Sequence, residues 1–448
     1  MDIAALIPQF GNLFMVLLAF VVALSIIVAI HEYGHYIVGR WCGIEADVFS
    51  LGFGPVLWSR HDRRGTRWQV AALPFGGYVK FRGDADASSG QGDASLKAMS
   101  DEELRHTMHG APLWARTATV SAGPLFNFVL SVLVFGAVMM AQGKMAEPIE
   151  IGEVKPLPGD EINLHAGDEL LSIAGTALPD LDETDGLDEF VKTLPIAPRL
   201  DYGVRRDGRE MTVSGPYPLP PLVTQLAPQS AAYEAGMRVG DVIIAVDGSQ
   251  ITAFSELKEI VEGSGGRALD LKIWNQGETR QLTLRPKRVD EPQPDGGFRT
   301  ALRIGIAGGL AFEPATTALS PVEALAGGVT QTWRVITNSL SGLFHMITGA
   351  ISSCNMSGPI GIAEVSGAMA SQGVESFVWF VAVLSAAVGL LNLFPIPVLD
   401  GGHLVFYAFE AVAGRPPSDT ALKIMMTVGL TLVLSLMAFA LANDILCP

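Results

Sequence analysis

The sequence predicts a polytopic α-helical membrane protein with about four transmembrane helices, a membrane-associated β element and two extramembrane α+β domains. Three observations lead to this fold class. Apolar residues make up 49% of the 448 residues, and the mean hydropathy is +0.35, which is unusual for a soluble protein. Four apolar stretches have about the length that a bilayer requires. Finally, a short motif in the middle of the chain occurs twice.

The four predicted spans lie near residues 12–38, 117–141, 374–397 and 423–443. The first could be mistaken for a secretory signal. It has no basic start, however, and it carries Asp2 and runs without a cleavage-like site into the segment HEYGH. We therefore expect a retained span.

The distribution of basic residues predicts the orientation of the spans. Ten Lys or Arg residues lie between the first two spans, whereas the flank before the first span has none. The positive-inside rule places this connection in the cytoplasm. Both termini and the long segment 142–373 then lie on the opposite side, and the loop 398–422 returns to the cytoplasm.

Charge and cysteine content exclude other classes of protein. A net charge of −16 argues against a nucleic-acid partner, because phosphate binding needs clustered Lys and Arg. Three scattered cysteines, Cys42, Cys354 and Cys447, are too few for a disulfide framework or a thiolate zinc site. We expect all three to be reduced.

HEYGH, at residues 31–35, predicts a metal site at the end of the first span. His31 and His35 are four residues apart in a helical pattern, so both imidazoles project from one face and can bind one Zn²⁺. Glu32 beside them suits a catalytic base that takes a proton from water. A plain helix end in the interfacial region is the simpler alternative, but ionisable groups beside an apolar span need compensation such as a metal.

Asp400 is the best candidate for a third ligand. It lies in NLFPIPVLDGG, where Pro395 and Pro397 interrupt the helix at the end of the third span, and such broken helices usually line a polar cavity. The predicted topology places Asp400 and the histidines at the same depth. Asn392, near the end of that span, could donate to a developing oxyanion or hold the substrate backbone, or it could simply cap or pack the helix.

HEYGH, SAGPLFNF at 121–128 and NLFPIPVLDGGH at 392–403 together resemble the site-2 protease family of intramembrane zinc metalloproteases, in particular its bacterial RseP branch. The resemblance implies that His31, His35 and Asp400 hold Zn²⁺ and that Glu32 is the base. It implies a protease of the bacterial cytoplasmic membrane with periplasmic tandem PDZ domains. Its substrates would be single-pass proteins such as anti-sigma-type regulators, already cut by a site-1-type protease, with remnant signal peptides as further candidates.

Residues 44–82 contain β-prone runs broken by Gly and Pro, which predict short strands at the membrane edge. An exposed strand edge could hold a substrate in an extended form, which hydrolysis of a helical peptide bond requires. A cytoplasmic hairpin without a substrate role is the alternative. The family's membrane-reentrant β-sheet favours the first interpretation.

AGDELLSIAG at 166–175 aligns with VGDVIIAVDG at 239–248, a spacing of 73 residues. The second copy strongly resembles a PDZ domain and the first does so more weakly. The pair could capture peptide ends or screen substrates by size, and we favour screening.

Residues 318–350 are helical in pattern but polar for a span, which predicts an interfacial helix. The predicted divisions are 1–145 (first two spans), 146–215 and 216–290 (PDZ-like), 291–373 (linker and interfacial helices) and 374–448 (last two spans).

Two other classes of function remain open from the sequence alone. A metal transporter would use intramembrane His and Asp as ligands, but it would not need a base such as Glu32 beside them. A PDZ scaffold with a decayed catalytic core would not need to retain all four expected residues.

Overall fold

The computed structural model describes residues 3–84, 96, 99–159, 162–179, 186–293 and 297–447. The chain forms two compact units, the first made of Met1–Val138 with Pro321–Pro448 and the second of Met139–Ser320. The described helices are α1 Ile3–Trp41, α2 Asp101–Arg105, α3 Leu113–Gln142, α4 Gly186–Thr193, α5 Ala231–Glu234, α6 Phe254–Gly263, α7 Pro321–Ile347, α8 Pro359–Ser371, α9 Val374–Asn392, α10 Asp400–Ala413 and α11 Asp419–Leu446.

Four helices of the first unit are long and apolar enough to cross a membrane, namely Leu13–Trp41 within α1, together with α3, α9 and α11. These are the four predicted spans, so the fold class is confirmed. Hydroxyl groups join α3 to α9: Ser131 Oγ donates to the carbonyl of Ala382 (2.6 Å) and Ser385 Oγ donates to that of Asn127 (2.9 Å). Small residues and interhelical hydrogen bonds of this kind let apolar helices pack closely.

The predicted short strands of residues 44–82 form two long bent strands, β1 Ala46–His61 and β2 Arg67–Phe81. Their register is interrupted, so residues 48–51 of β1 have partners on both sides, residues 77–80 on one and residues 67–70 on the other. Residues 56–61 pair with residues 67–71 at the far side. The hairpin is therefore a small four-segment sheet, with residues 77–81 along one edge.

The helical pattern at 318–350 is confirmed as a single helix, α7. It packs against α3 at small residues of both helices: a Cβ on Gly136 would lie 3.0 Å from the Ala324 carbonyl oxygen. Among the described residues, α7 is not one of the helices apolar enough to span a bilayer. Its interfacial position stays a prediction.

The prediction of three reduced cysteines is wrong for two of them. Cys354 and Cys447 form a disulfide, whereas Cys42 is free. The tertiary structure brings these residues together across 93 positions, because the end of α11 lies beside the 3₁₀ turn at Ser353–Asn355. Asn443 Nδ2 donates to the Ser353 carbonyl (2.8 Å), and the Asp444 carboxylate accepts from the Gly358 amide (2.7 Å).

The second unit contains two four-stranded sheets of the same topology, each with a helix after its second strand. Their strand orders are β6-β5-β7-β8 and β11-β10-β12-β13. The strands are β3 Lys144–Met145, β4 Ile151–Val154, β5 Glu169–Ile173, β6 Thr176–Ala177, β7 Arg199–Arg206, β8 Arg209–Pro216, β9 Gln225–Leu226, β10 Val242–Val246, β11 Ser249–Gln250, β12 Leu269–Asn275, β13 Glu278–Leu284, β14 Lys287–Pro292, β15 Phe298–Arg303, β16 Ile306–Ala307, β17 Phe312–Pro314 and β18 Thr316–Thr317. Each sheet has its own apolar core, so the repeat corresponds to two PDZ-like domains.

The repeated Gly-Asp motif has the same structural role in both domains. Asp168 and Asp241 are buried, and each carboxylate is paired with an arginine of a later strand, Arg206 (2.7 Å) and Arg280 (2.6 Å). Burial would raise the pKa of Asp168, but hydrogen bonds from Arg206 and the His165 amide outweigh it and lower that pKa. An aspartate in this position is thus buried only because it is paired.

Residues 291–320 belong to the same unit and contain three short strands that pair with earlier ones. β16 pairs with β9, β17 with β4 and β18 with β3. These short strands are far apart in sequence from their partners. Residues 306–314 therefore pair with strands of both PDZ-like domains before α7 begins.

Candidate metal centre

α1 positions the two histidines of HEYGH on one face, as their spacing predicts. His31 Nε2 and His35 Nε2 are 3.1 Å apart, and both side chains are buried. Gly34, between them, allows α1 to approach α3, because a Cβ there would lie 2.6 Å from the Ala122 carbonyl oxygen. Two imidazole nitrogens this close, both pointing the same way, are suited to share one cation.

Asp400 is brought to the histidines by the broken segment after α9. It is the first residue of α10, and its Oδ2 lies 3.2 Å from His31 Nε2 and 3.5 Å from His35 Nε2. One ligand atom from each of the three residues lies within 4.8 Å of the others. Gly401 and Gly402 make the segment compact, since a Cβ on either would clash with backbone atoms of residues 393–397. The structure therefore brings together residues that are 365 positions apart.

Three observations show that a metal ion fits this cluster. Asp400 Oδ2 is buried and makes no well-aligned hydrogen bond; the Nε2 atoms of His31 and His35 lie 3.2 and 3.5 Å from it, so a cation or a proton shared among them would compensate its burial. The remaining ring nitrogens face α3: His35 Nδ1 lies 2.9 Å from the Thr119 carbonyl oxygen, and His31 Nδ1 lies 3.2 Å from Asn127 Nδ2. This leaves both Nε2 atoms for the ion. Two imidazoles and one carboxylate are a donor set that Zn²⁺ accepts, with a fourth position for water.

Gly123 forms the wall of the cluster on the α3 side. A Cβ built on this glycine would lie 2.8 Å from His31 Nε2 and closer still to His35 Nε2. Pro124 follows it inside the helix and removes a backbone hydrogen bond there. Thr119, about one turn earlier on α3, supplies the carbonyl that the His35 ring contacts.

Replacing Gly123 with alanine should strongly lower zinc affinity, because the added methyl group would occupy space next to both Nε2 atoms. Zinc content and affinity of the purified protein measure this effect. Gly136→Ala, on the same helix and in contact with α7, is the matched control for helix packing. Equal zinc binding by the Gly123 variant and the wild type would show that Gly123 does not limit the space beside the two Nε2 atoms.

Glu32 lies between the metal cluster and the edge of the β-sheet. Its carboxylate lies close enough to His35, His31 and Asp400 to interact with them electrostatically, and it lies beside the Val79 backbone. Its Cγ would be 3.2 Å from a Cβ on Gly77, so the glycine makes room for this side chain. The arrangement places a carboxylate beside the candidate metal ligands and beside a strand edge.

Asn392, predicted as a second catalytic residue, donates from its Nδ2 to the Val388 carbonyl within its own helix (3.0 Å). This hydrogen bond is the packing alternative that the sequence left open. A catalytic role for Asn392 stays a prediction.

An ion pair anchors α10, which carries Asp400, to the start of α3. Arg116 donates from Nη1 and Nη2 to the two carboxylate oxygens of Glu410 (3.0 and 2.6 Å), and its guanidinium lies 5.2 Å from the centre of the Tyr407 ring. Bidentate pairs of this kind are rigid in orientation. Gly123 and Asn127 lie in the motif SAGPLFNF, but neither residue was assigned a role at the metal site from the sequence. The pair Arg116–Glu410 and the Thr119 carbonyl were not identified from the sequence.

Comparisons with known proteins agree with this geometry. The family model described as Peptidase family M50 matches residues 19–436. A protein of Agrobacterium fabrum whose name describes it as a zinc metalloprotease is 35% identical over 430 residues, covering 95% of this chain and 94% of the relative. The regulator of sigma-E protease RseP of Escherichia coli is 32% identical over 463 residues, covering 96% of this chain and 98% of that protein.

Proposed function

This chain belongs to peptidase family M50, and from that premise we propose that it is an intramembrane zinc metalloprotease that hydrolyses peptide bonds in the transmembrane segments of single-pass proteins. The observation that carries the proposal is the convergence of His31, His35 and Asp400 on one point beside Glu32. The likeness to RseP over nearly the whole chain supports the same membrane chemistry.

His31, His35 and Asp400 would hold the ion. When bound, Zn²⁺ supplies a Lewis acid that polarises the scissile carbonyl and makes water acidic enough to lose a proton near neutral pH. Glu32 would accept that proton and later deliver it to the leaving amine. The buried surroundings of the histidines exclude bulk water, which strengthens each of these electrostatic interactions.

The β-sheet supplies a place for an extended substrate. Residues 77–81 form an edge of the sheet, and Val79 in this edge contacts Glu32. A substrate strand added at this edge would expose its peptide bonds next to the base, whereas the same bonds in a helix are enclosed by their own hydrogen bonds. Unwinding a transmembrane helix and pairing it here would thus combine substrate binding with access to the scissile bond.

The two PDZ-like domains are inserted in the chain between α3 and α7. We favour a screening role, in which they admit proteins whose extramembrane part has already been shortened by another protease. Anti-sigma-factor-like regulators and remnant signal peptides have this form. Capture of the newly made chain end by a PDZ groove is the alternative, because PDZ domains bind peptide strands.

The inner-membrane location follows the family resemblance, and for such a protein the positive-inside rule supports an orientation with both termini and the PDZ-like domains in the periplasm. The disulfide agrees with this orientation, since Cys354 and Cys447 are both assigned to the periplasmic side, where disulfides persist. Free Cys42 is assigned to the reducing cytoplasm.

The experiment that tests the proposal uses the purified full-length chain in liposomes and a model single-span substrate in two forms. One form keeps a folded extramembrane domain, and the other is trimmed close to the membrane. We expect cleavage within the span of the trimmed form, its loss on addition of a zinc chelator and its recovery on adding Zn²⁺. The untrimmed form should be cut much more slowly.

Two results would contradict these proposals separately. Absence of chelator-sensitive cleavage of either form would exclude the protease assignment. Cleavage that depends on the terminal residues of the trimmed substrate, and not on the size of its extramembrane part, would favour capture over screening.

A further inference from the structure

Asn127 lies on α3 in the middle of a predicted span and is completely buried, with 0% of its surface exposed. An amide is costly in such a place unless its groups are hydrogen-bonded. Its backbone carbonyl accepts from Ser385, but that bond does not require the asparagine side chain. The side chain itself contacts the Nδ1 atom of His31 at 3.2 Å.

The recorded orientation of the amide leaves one group without a partner. Asn127 Nδ2 faces His31, and the Oδ1 atom is buried with no hydrogen-bond partner. The nitrogen and oxygen of a side-chain amide are assigned from the hydrogen-bond network, and a half-turn about the last bond exchanges them. Either orientation therefore fits the same position of the side chain.

The geometry of the cluster decides between the two orientations when a cation is bound. His31 Nε2 is the atom that faces His35 Nε2 and Asp400, so the lone pair used for the ion must be on Nε2. The proton of the neutral ring is then on Nδ1, which needs an acceptor. Asn127 Oδ1, turned toward the ring, is such an acceptor, whereas the Nδ2 group is not.

His35 has the same arrangement with a different partner. Its Nδ1 is 2.9 Å from the Thr119 carbonyl oxygen, an acceptor that belongs to the backbone. Ligating histidines generally donate their other ring N–H to an acceptor of this kind, and it fixes both the tautomer and the ring orientation. α3 thus contacts both imidazoles: His35 through the Thr119 backbone, and His31 through the Asn127 side chain, which mutation can replace.

We propose that Asn127 is a positioning residue for the metal centre: its Oδ1 accepts the His31 Nδ1 proton and holds the ring with Nε2 ready for the ion. The proposal rests on the metalloprotease function proposed above. Asn127 does not contact the ion or the substrate in this role. Its contribution is to zinc affinity.

The test compares zinc dissociation constants of purified full-length variants by chelator competition. Asn127→Leu keeps the size of the side chain and removes the acceptor, and we expect zinc to bind about 10- to 100-fold more weakly. Asn127→Asp keeps an acceptor toward His31, so its affinity should equal or exceed that of the wild type. Ser131→Ala, one turn further along α3, removes a hydrogen bond to Ala382 without touching either histidine and should leave affinity unchanged.

Thermal unfolding of the zinc-free proteins separates positioning from a merely structural role. If Asn127 only joins helices, the Leu variant will lose zinc-free stability while its zinc affinity stays at the wild-type value, and the proposal is overturned. Equal weakening in the Asp and Leu variants would also overturn it, because the acceptor would then be irrelevant. Should the Leu variant fail to fold, Asn127→Ala provides the same comparison.

The wild-type measurement distinguishes this inference from the function on which it rests. A wild-type chain that binds no zinc would remove the proposed function and, with it, the role of Asn127. A wild-type chain that binds zinc, with no difference among the Asn127 variants, would remove only the role of Asn127. The absorption spectrum of Co²⁺-loaded protein adds a check that the Leu variant retains the same three ligands.

Discussion

Glu32→Gln should abolish detectable cleavage of a trimmed single-span substrate while zinc remains bound at the wild-type level. Glutamine has nearly the shape of glutamate but cannot accept a proton from water, and a positioned general base contributes about 10²- to 10⁴-fold to rate. His31, His35 and Asp400 are unchanged in this variant, so the ligand set is intact. Single-turnover cleavage and zinc content, measured on the same preparation, give the two quantities.

Glu375→Gln is the matched control for this change. Glu375 is in the first turn of α9, at the opposite end of that helix from the segment leading to Asp400. It therefore also removes a carboxylate at the end of a span, and it should leave cleavage unchanged. Wild-type cleavage by the Glu32 variant would show that another group takes the proton.

Asp400→Ala should remove zinc as well as activity, because it deletes a ligand and not the base. The loss of affinity should exceed the about 10- to 100-fold that a change in an outer hydrogen-bond partner causes. It would leave His31 and His35 without the carboxylate that lies 3.2 and 3.5 Å from their Nε2 atoms. Zinc content after dialysis, and the dissociation constant where binding persists, measure the effect.

Loss of a helix-terminal charge has to be separated from loss of the ligand. Asp400 is in the first turn of α10, where a negative charge stabilises the helix by up to about 1 kcal/mol. Asp419→Ala removes a carboxylate from the first turn of α11 and provides the corresponding control. Unchanged zinc content in Asp400→Ala would mean that the third ligand lies elsewhere in the chain.

The Glu32 and Asp400 variants together distinguish hydrolysis from metal transport. A transporter would depend on the ligands and would tolerate Glu32→Gln. A hydrolase needs the ligands to hold the metal and needs Glu32 to accept the proton. Loss of cleavage with retained zinc in one variant, and loss of both in the other, is the pattern that a metalloprotease predicts.

Features that depend on local periodicity were predictable from the sequence. The four spans follow from apolar runs of sufficient length, and each was found as a long apolar helix. His31 and His35 share a face because they are four residues apart in a helix, whatever else surrounds them. The two PDZ-like domains follow from a repeated Gly-Asp motif, whose aspartates are buried against arginines in both copies.

From the residues alone, the pairing of Asp400 with the histidines was predictable through topology, and the family resemblance implied the same ligand set. Positive charges between the first two spans implied the orientation, and the parity of the spans then placed both motifs at the same depth. The parity of the spans gives the two motifs a common level in the membrane but no distance between them. The 3.2 Å between His31 Nε2 and Asp400 Oδ2 depends on the proline-broken segment, on two glycines that allow its close packing, and on the pair Arg116–Glu410.

By itself, the sequence determined the class of fold, the histidine pair, its neighbouring carboxylate and the repeated domains, because these follow from spacing along one helix, from hydrophobic length or from self-similarity. Only the tertiary structure decided that Cys354 and Cys447 are joined, that residues 298–317 return to pair with earlier strands, and that Gly123 and Asn127 face the histidines of HEYGH. The physical reason is that these contacts are made between segments whose separation in the chain carries no periodic signal. Side-chain size and hydrogen bonding across the packed helices determine them, and both depend on the helices being assembled.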